Sequence, residues 1–436
     1  MYSSFSDIHV GSIRPGRASE RRRQRPCAAP SLALLAIAVL LILPSPVATQ
    51  TLEVGLSDVE VLAKEHSPEW EQFESRFQFL AAGEEALARP ADPALGYEME
   101  FLDESGEGIY EHALFVEQGF RMPGLRRSLQ ARTGSRVQGF ALERDRDQAR
   151  WLAELRKGMM GWAMAQEETQ RLQQLRGLVE RVGAAAARRA DAGEVSGIDL
   201  RLLEVSRFQL DVLMEERELE RDRMAAEWAA RMGLEGLDLQ AREGVVGIRA
   251  ALPENHELTV WLEGSPVLQA ELQALESARH AREVEERRRW PGIALMAGYR
   301  QMTPDWRGFQ LGVSLPLPVR DGNALRVEEA RAGERGQVLS LQLHREIQRV
   351  RARHALESTG RRATRLDTFP EDLADPSSML EALAVLYEDG QEPLASVLSS
   401  LIVLADGYRA YFEQLERYFD GVFELEALTG RSLLDN

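Results

Sequence analysis

Cysteine is almost absent from this 436-residue sequence, because Cys27 is the only copy. It precedes the apolar run at residues 32–43, so we expect it to be lost if that run belongs to a cleaved leader. The mature chain would then have no disulfide bonds, no cysteine metal ligands and no cysteine nucleophile. It would also have no cysteine just behind the leader for attachment of a lipid.

Long apolar runs are also missing after residue 48, where no stretch approaches the roughly 20 residues of a membrane-spanning helix. At residues 1–48, an arginine cluster at 21–25 precedes the apolar run, and small residues follow it to Ala48. This order predicts a secretory signal peptide with cleavage near Ala48, with a retained membrane anchor as the alternative. If the exported chain enters a membrane, we expect it to do so as a closed β-barrel.

Basic residues are outnumbered, with 53 Lys and Arg against 70 Asp and Glu. Loss of the leader's six arginines and two acids would leave a net charge of about −21, which argues against nucleic acid as a partner. The sequence contains no phosphate-binding glycine loop, no catalytic triad and no pair of catalytic carboxylates, and its seven histidines lack ligand spacing. We therefore expect neither catalysis nor a bound cofactor or metal.

The sequence does contain a long internal repeat. Gly193 opens a turn and Gly233 ends the following helical stretch, and Gly390 and Gly430 do the same 197 residues later. Glycine at these positions predicts left-handed helix ends. Similar offsets relate earlier segments, such as Ser67-Pro68 and Ser265-Pro266. The sequence therefore predicts two structural repeats, at residues 49–240 and 241–436.

Each repeat follows one plan of helix, β-hairpin and long helical hairpin. Apolar residues recur every three or four positions in the helical parts and every second position in the strands. In the first repeat we predict a helix at 56–87, a β-hairpin at 96–122, and long helices at 125–190 and 198–232 around Gly193. In the second we predict a helix at 258–289 and a β-hairpin at 292–318. A long helix at 319–366 follows, is interrupted at 369–371 and 375–376, and resumes at Met379 until the Gly390 turn; the return helix is at 394–428.

The predicted strands are about ten residues long, which suffices to cross a bilayer when tilted. Four strands cannot close a barrel, so their open edges would need other copies of the chain. Three copies would supply twelve strands and a ring of long helices. A helical protein with two β-hairpins on its surface is the alternative.

Five short segments, in this order and spacing, resemble the TolC family of outer membrane efflux proteins, in the branch of cation and multidrug channels. They are Ser67-Pro68-Glu69, Val116-Glu117-Gln118-Gly119-Phe120-Arg121-Met122-Pro123-Gly124, Gly312-Val313-Ser314-Leu315-Pro316-Leu317, Tyr387-Glu388-Asp389-Gly390 and Leu425-Glu426-Ala427-Leu428-Thr429-Gly430. The resemblance covers nearly all of the chain after the leader.

The resemblance implies an α+β fold made mainly of long α-helices. A trimer would form a twelve-stranded outer membrane β-barrel on a periplasmic helical tunnel. The implied function is the passive outer membrane channel of a tripartite efflux system, with a periplasmic adaptor protein and an inner-membrane pump as partners. A channel for type I protein secretion and a periplasmic coiled-coil scaffold without a pore are the alternatives.

By the same resemblance, the glycine turns lie at the periplasmic end of the tunnel. Gly193, Val195 and Gly390 would dock the adaptor there. Asp199 matches the position of a gate carboxylate, and Tyr387 matches that of a gate tyrosine. A ring of three Asp199 side chains would favour cations, although Asp199 could instead be an ordinary acid at a helix N-terminus.

Three other residues of the expected gate depart from the family pattern. Glu392 stands where some members carry a base, and Ser396 and Ser399 stand where some carry acids. We therefore do not expect the salt-bridged lock of those members.

Two further groups of residues each allow two interpretations. Three methionines could form a soft-metal cluster, but packing on the long helix is the preferred interpretation; they are Met159, Met160 and Met164. Four aromatic residues could form an interfacial girdle or pack in a core; they are Trp290, Tyr299, Trp306 and Phe309.

Overall fold

The structure is a computed structural model, and it describes residues 52–104, 107–289, 292–302, 306–316, 322–369 and 377–434. Every described residue belongs to one compact unit, Thr51–Asn436. The predicted leader at 1–48 lies outside the described residues, as do Trp290 and the interruption at 370–376.

The first repeat contains three strands and four helices. Its 69-residue helix α3 is roughly 100 Å long at 1.5 Å per residue. The elements are β1 (Leu52–Val54), α1 (Asp58–His66), α2 (Pro68–Ala88), β2 (Ala94–Glu104), β3 (Glu107–Phe120), α3 (Pro123–Asp191) and α4 (Gly197–Met232).

The second repeat follows the same order, except that its long outgoing helix is described in two parts. Its elements are β4 (Leu239–Ala241), α5 (Asn255–Glu263), α6 (Pro266–Arg287), β5 (Ile293–Met302), β6 (Trp306–Ser314), α7 (Gly322–Asp367), α8 (Ser377–Glu388) and α9 (Leu394–Thr429). The bounds of the β-hairpins thus differ by a few residues from the predicted 96–122 and 292–318.

The prediction of one continuous helix at 56–87, and of another at 258–289, is wrong. Each is two helices that meet at a serine before a proline. Ser67 has ψ 124° and Ser265 has ψ 145°, both extended. A proline ring disfavours helical backbone at the preceding residue, so Pro68 and Pro266 each begin a new helix.

The predicted left-handed helix ends are confirmed. Gly233 has φ 69° and Gly430 has φ 68°. Each packs against the proline of its own repeat: a Cβ on Gly233 would lie 3.4 Å from Pro68 Cδ, and one on Gly430 2.6 Å from Pro266 Cδ. The equivalent contacts give physical support to the internal two-fold repeat.

A short parallel pair of strands was not predicted. Strands β1 and β4 pair in register from Leu52 with Leu239 to Val54 with Ala241. The side-chain amide of Gln166, on α3, both donates to and accepts from the Ala241 backbone at 3.2 Å. It thus satisfies backbone groups at the edge of β4. Three residues are too few to produce a recognisable sequence period.

The main sheet is antiparallel with the order β2-β3-β5-β6, so β3 and β5 join the two hairpins. Strands β2 and β6 are its edges. The register places alternate residues on one face, and most of these are apolar and exposed: Leu95, Tyr97, Met99, Phe101, Leu114, Phe309, Leu311 and Val313. The opposite face carries Glu98, Glu100, Glu111, Glu117 and Arg300.

The hydrophobic core lies among the long helices. Met159 and Met160 are fully buried there and Met164 is 7 % exposed, which confirms packing as their role. Among the described helices, none contains a stretch long and apolar enough to cross a membrane.

Candidate functional site at the hairpin turns

The first hairpin turn connects α3 to α4 through Gly193, whose φ is 78°. The amide of Gly193 donates to the Ala190 carbonyl at 2.9 Å. Ser196 then caps α4: its hydroxyl accepts from the Asp199 amide at 3.2 Å and donates to the Asp199 carboxylate at 2.9 Å. The short cap fixes where α4 begins.

The second turn connects α8 to α9 through Gly390, whose φ is 73°. The Gly390 amide donates to the Tyr387 carbonyl at 3.0 Å, and the Glu392 amide donates to the Leu386 carbonyl at 3.2 Å. Pro393 is the N-cap residue of α9. Both glycines therefore occupy backbone conformations that other residues rarely adopt.

The structure brings the two turns together through Arg189, in the last turn of α3. Its Nη1 donates to the Tyr387 carbonyl at 3.1 Å, and its guanidinium carbon lies 5.2 Å from the centre of the Tyr387 ring. Its Nε lies 3.2 Å from the Glu194 carboxylate. Sequence reasoning did not identify Arg189 or Glu194.

Tyr387 is 1 % exposed, and its hydroxyl has no hydrogen-bond partner among the described residues. Burial raises the pKa of the Tyr387 hydroxyl above 10, while Arg189 acts to lower it and Asp199 to raise it. The structure thus places Asp199 within electrostatic reach of Tyr387, but its carboxylate is bonded to Ser196. Within one chain, Asp199 acts as the acid of a helix N-terminus.

The remaining residues of the predicted gate lie at the start of α9 or just before it. Glu392 is half-buried and has no ion pair within the described part of the chain. Ser399 is exposed, and its hydroxyl donates to the Ser396 carbonyl at 2.8 Å. Val195 is half-buried, whereas Gly193 and Gly390 are exposed at the tips of the turns. The gating and docking roles of these residues stay predictions.

An exposed apolar stripe runs along α4 from the first turn. Four of its residues recur every seventh position: Ile198, Val205, Val212 and Leu219. They are 72, 53, 38 and 65 % exposed. A seven-residue apolar repeat is the pattern of a helix that packs lengthwise against another helix, so this face of the single chain is unpartnered.

No family model and no curated protein matches the sequence. Solved structures do match. The outer-membrane channel OprN is 14 % identical, with a TM-score of 0.71 over 87 % of this chain and 91 % of that one. A membrane protein from Pseudomonas aeruginosa is 14 % identical, with a TM-score of 0.72 over 88 % and 94 %. The Campylobacter jejuni CmeC outer membrane channel is 12 % identical, with a TM-score of 0.70 over 87 % of each chain.

The chain has the TolC-type fold. The fold resemblance indicated by the five sequence segments is confirmed. The close approach of Arg189 to Tyr387 shows that the two turns meet in this chain.

Two other kinds of site, a metal site and an aromatic girdle on the sheet, were considered from the sequence. No group of three or more His, Cys, Asp and Glu residues that could hold a metal occurs in the described ranges. Tyr299 and Phe309 share the apolar face of the sheet with their ring centres 6.1 Å apart, whereas the register places Trp306 on the opposite face. Trp306 therefore does not lie on the face that a girdle with Tyr299 and Phe309 would need, and Trp290 lies outside the described residues.

Proposed function

We propose that this protein is the outer membrane channel of a tripartite efflux system. It would act as a homotrimer and conduct small molecules or metal cations passively from the periplasm to the exterior. The adaptor protein would bind at the hairpin turns, and an inner-membrane pump would supply the energy. The observation that carries this proposal is the four-stranded sheet, with its apolar exposed face and two open edges, within a TolC-type fold.

The sheet supports insertion into a lipid bilayer. Its exposed face includes Phe309, Leu311 and Val313, which are 90, 85 and 74 % exposed. Apolar patches of this kind are costly in water and favourable in lipid. Strands β2 and β6 would pair with neighbouring copies, because unpaired backbone groups are not tolerated in a bilayer. Three copies would give a barrel of twelve strands.

The helices support side-by-side association of the copies. The α4 stripe is one unpartnered surface, and α7 carries a second: Leu339, Leu343, Ile347 and Val350, which are 66, 60, 38 and 66 % exposed. A second copy of the chain would cover both stripes with helices of matching length. Neither a monomeric protein nor a poreless scaffold would explain why the sheet also has an exposed apolar face.

The charge of the inner face supports cations as cargo. In the closed barrel, the face opposite the apolar one would line the water-filled interior. Among the side chains that the structure describes on this face, Glu98, Glu100, Glu111 and Glu117 outnumber the single cation Arg300. Glu100 lies directly opposite Glu111 in the register. Rings of carboxylates favour cations over anions.

The direct test is conductance of the purified protein in planar bilayers. We expect discrete channels whose reversal potential in a salt gradient shows preference for cations. Val205→Glu places a charge on the α4 stripe and should abolish both the trimer and the conductance. Val61→Glu, at a 56 % exposed position on α1 outside the stripe, is the matched control and should keep both. Absence of any conductance from a trimeric wild-type protein would refute the proposal.

A further inference from the structure

A cavity of about 920 Å³ lies at the end of the sheet that continues into the helices. Its walls come from residues 88–93 between α2 and β2, from the ends of β3 and β6, and from the start of β5. Gly119, Ala294 and Ser314 lie opposite one another in the register of three neighbouring strands, and their small side chains leave this space open. A cavity of this size can hold a small organic molecule.

Three arginines line this cavity without a carboxylate partner among the described residues: Arg89, Arg121 and Arg126. Nη1 of Arg121 donates to the Leu87 carbonyl at 3.5 Å, which is a long and weak hydrogen bond. Among the lining residues that the structure describes, Asp92 is the only carboxylate, and it pairs with none of the three. The cavity therefore has an excess of positive charge in a chain whose net charge is −17.

Arginines on the helices, by contrast, commonly pair with a carboxylate one turn away. Arg331 Nη1 lies 2.7 Å from the Glu328 carboxylate, and Arg349 Nη1 lies 2.8 Å from that of Glu346. A guanidinium group has planar donors that match two oxygens of a phosphate at once. Unpaired arginines around one cavity thus favour an anionic ligand with several oxygens.

The wall that carries Arg89 lies on the apolar side of the sheet. Gln118 is on the apolar face, two residues before Phe120, and its side-chain amide donates to the Ala91 carbonyl at 2.8 Å. Phe120, which is 52 % exposed, also lines the cavity, and Arg121 follows it directly. An apolar surface is thus followed at once by guanidinium groups. This is the order of hydrocarbon and headgroup at the surface of a bilayer.

We propose that this cavity binds the headgroup of an anionic phospholipid, with Arg89, Arg121 and Arg126 donating to its phosphate oxygens and the apolar face of the sheet against its acyl chains. This rests on the part of the proposed function in which the sheet enters a bilayer. The bound headgroup marks the level at which the strands leave the hydrocarbon, and so fixes the depth of the sheet in the membrane.

The test is native mass spectrometry of the detergent-solubilised protein with added phosphatidylglycerol or phosphatidylcholine, which share a phosphate and differ in net charge. Arg126→Gln is compared with Arg127→Gln, because both side chains are exposed near the start of α3 but only Arg126 lines the cavity. A triple variant, Arg89→Gln with Arg121→Gln and Arg126→Gln, removes the whole set, and circular dichroism checks that it is folded. Inorganic phosphate at the concentration of the lipid is the competitor.

We expect the wild type to prefer phosphatidylglycerol. An arginine beside an anionic headgroup changes the affinity about five-fold, so Arg126→Gln should weaken binding about five-fold and the triple variant about 100-fold. Arg127→Gln should match the wild type. No preference for phosphatidylglycerol, equal weakening in Arg127→Gln, or displacement of the lipid by inorganic phosphate would overturn the proposal.

The lipid site and the channel can fail separately. If the preference depends on the three arginines but the protein forms no channels in planar bilayers, the lipid site is supported and the channel function is refuted. Channels from a protein without the lipid preference would refute the lipid site alone.

Discussion

The two helix-ending glycines allow a quantitative prediction about the internal repeat. Gly233→Ala forces an alanine into a left-handed conformation, which costs about 1–2 kcal/mol. Its Cβ would also lie only 2.5 Å from the His66 carbonyl oxygen. Because this oxygen belongs to the backbone, relief requires movement of the α1–α2 junction, which adds about 1–3 kcal/mol.

Gly430→Ala should cost a similar amount, about 2–5 kcal/mol in all, because its Cβ would lie 2.6 Å from the rigid ring of Pro266. Gly236→Ala is the matched control. Gly236 has φ 85°, but no atom lies within 4 Å of the place that an alanine methyl group would take, so only the conformational cost of about 1–2 kcal/mol applies.

The assay is urea unfolding of the detergent-solubilised protein, followed by the helical circular dichroism signal. We expect Gly233→Ala and Gly430→Ala to be the least stable and Gly236→Ala to lie between them and the wild type. If Gly236→Ala were as destabilised as Gly233→Ala, the contacts with the first helices of each repeat would not contribute, and the steric argument would be refuted.

Three further predictions concern buried polar groups. Glu426 is 4 % exposed, and its carboxylate accepts from the Leu433 amide at 2.7 Å. Glu426→Gln should speed hydrogen exchange at that amide about 10- to 100-fold, since a charged acceptor contributes about 1.5–3 kcal/mol. Glu413→Gln, which changes the exposed ion pair with Arg417, should leave that exchange rate unchanged. Burial raises the pKa of Glu168 above 4.5, against the opposing effect of Arg217 and Arg409. The stability that the protonated carboxyl contributes is therefore lost as pH rises through the raised pKa. The unfolding free energy of the wild type relative to Glu168→Gln should fall over that pH range, and a rise would contradict the raised pKa. Tyr387→Phe should leave the distance between spin labels at Ala192→Cys and Gln391→Cys, on the two turns, unchanged, because the carbonyl and ring remain, and a change would show that the hydroxyl has a partner in the trimer.

Much of the fold could be predicted from periodicity and glycine placement, because both are local signals. Gly233 and Gly430 marked helix ends correctly, and the alternating residues from Tyr97 to Phe101 marked β2. The break at Ser67 was also local, since Pro68 follows it, but the apolar pattern continues across the junction and concealed it. A serine before a proline was the signal that could have revealed it.

The site was less predictable, because its contacts are not local. Arg189 was recognisable only as a basic residue in the last turn of a helix, which is common. Its contact with Tyr387 depends on how two hairpins from different repeats pack. Asp199, Tyr387, Glu392, Ser396 and Ser399 as gate residues, and Gly193, Val195 and Gly390 as docking residues, stay predictions.

The measurement that tests the central claim most directly is the mass of the detergent-extracted particle from an outer membrane fraction, with and without heating. The account predicts a particle of three chains that dissociates only when heated, because the sheets of the copies close on one another. A single-chain species released without detergent would contradict it.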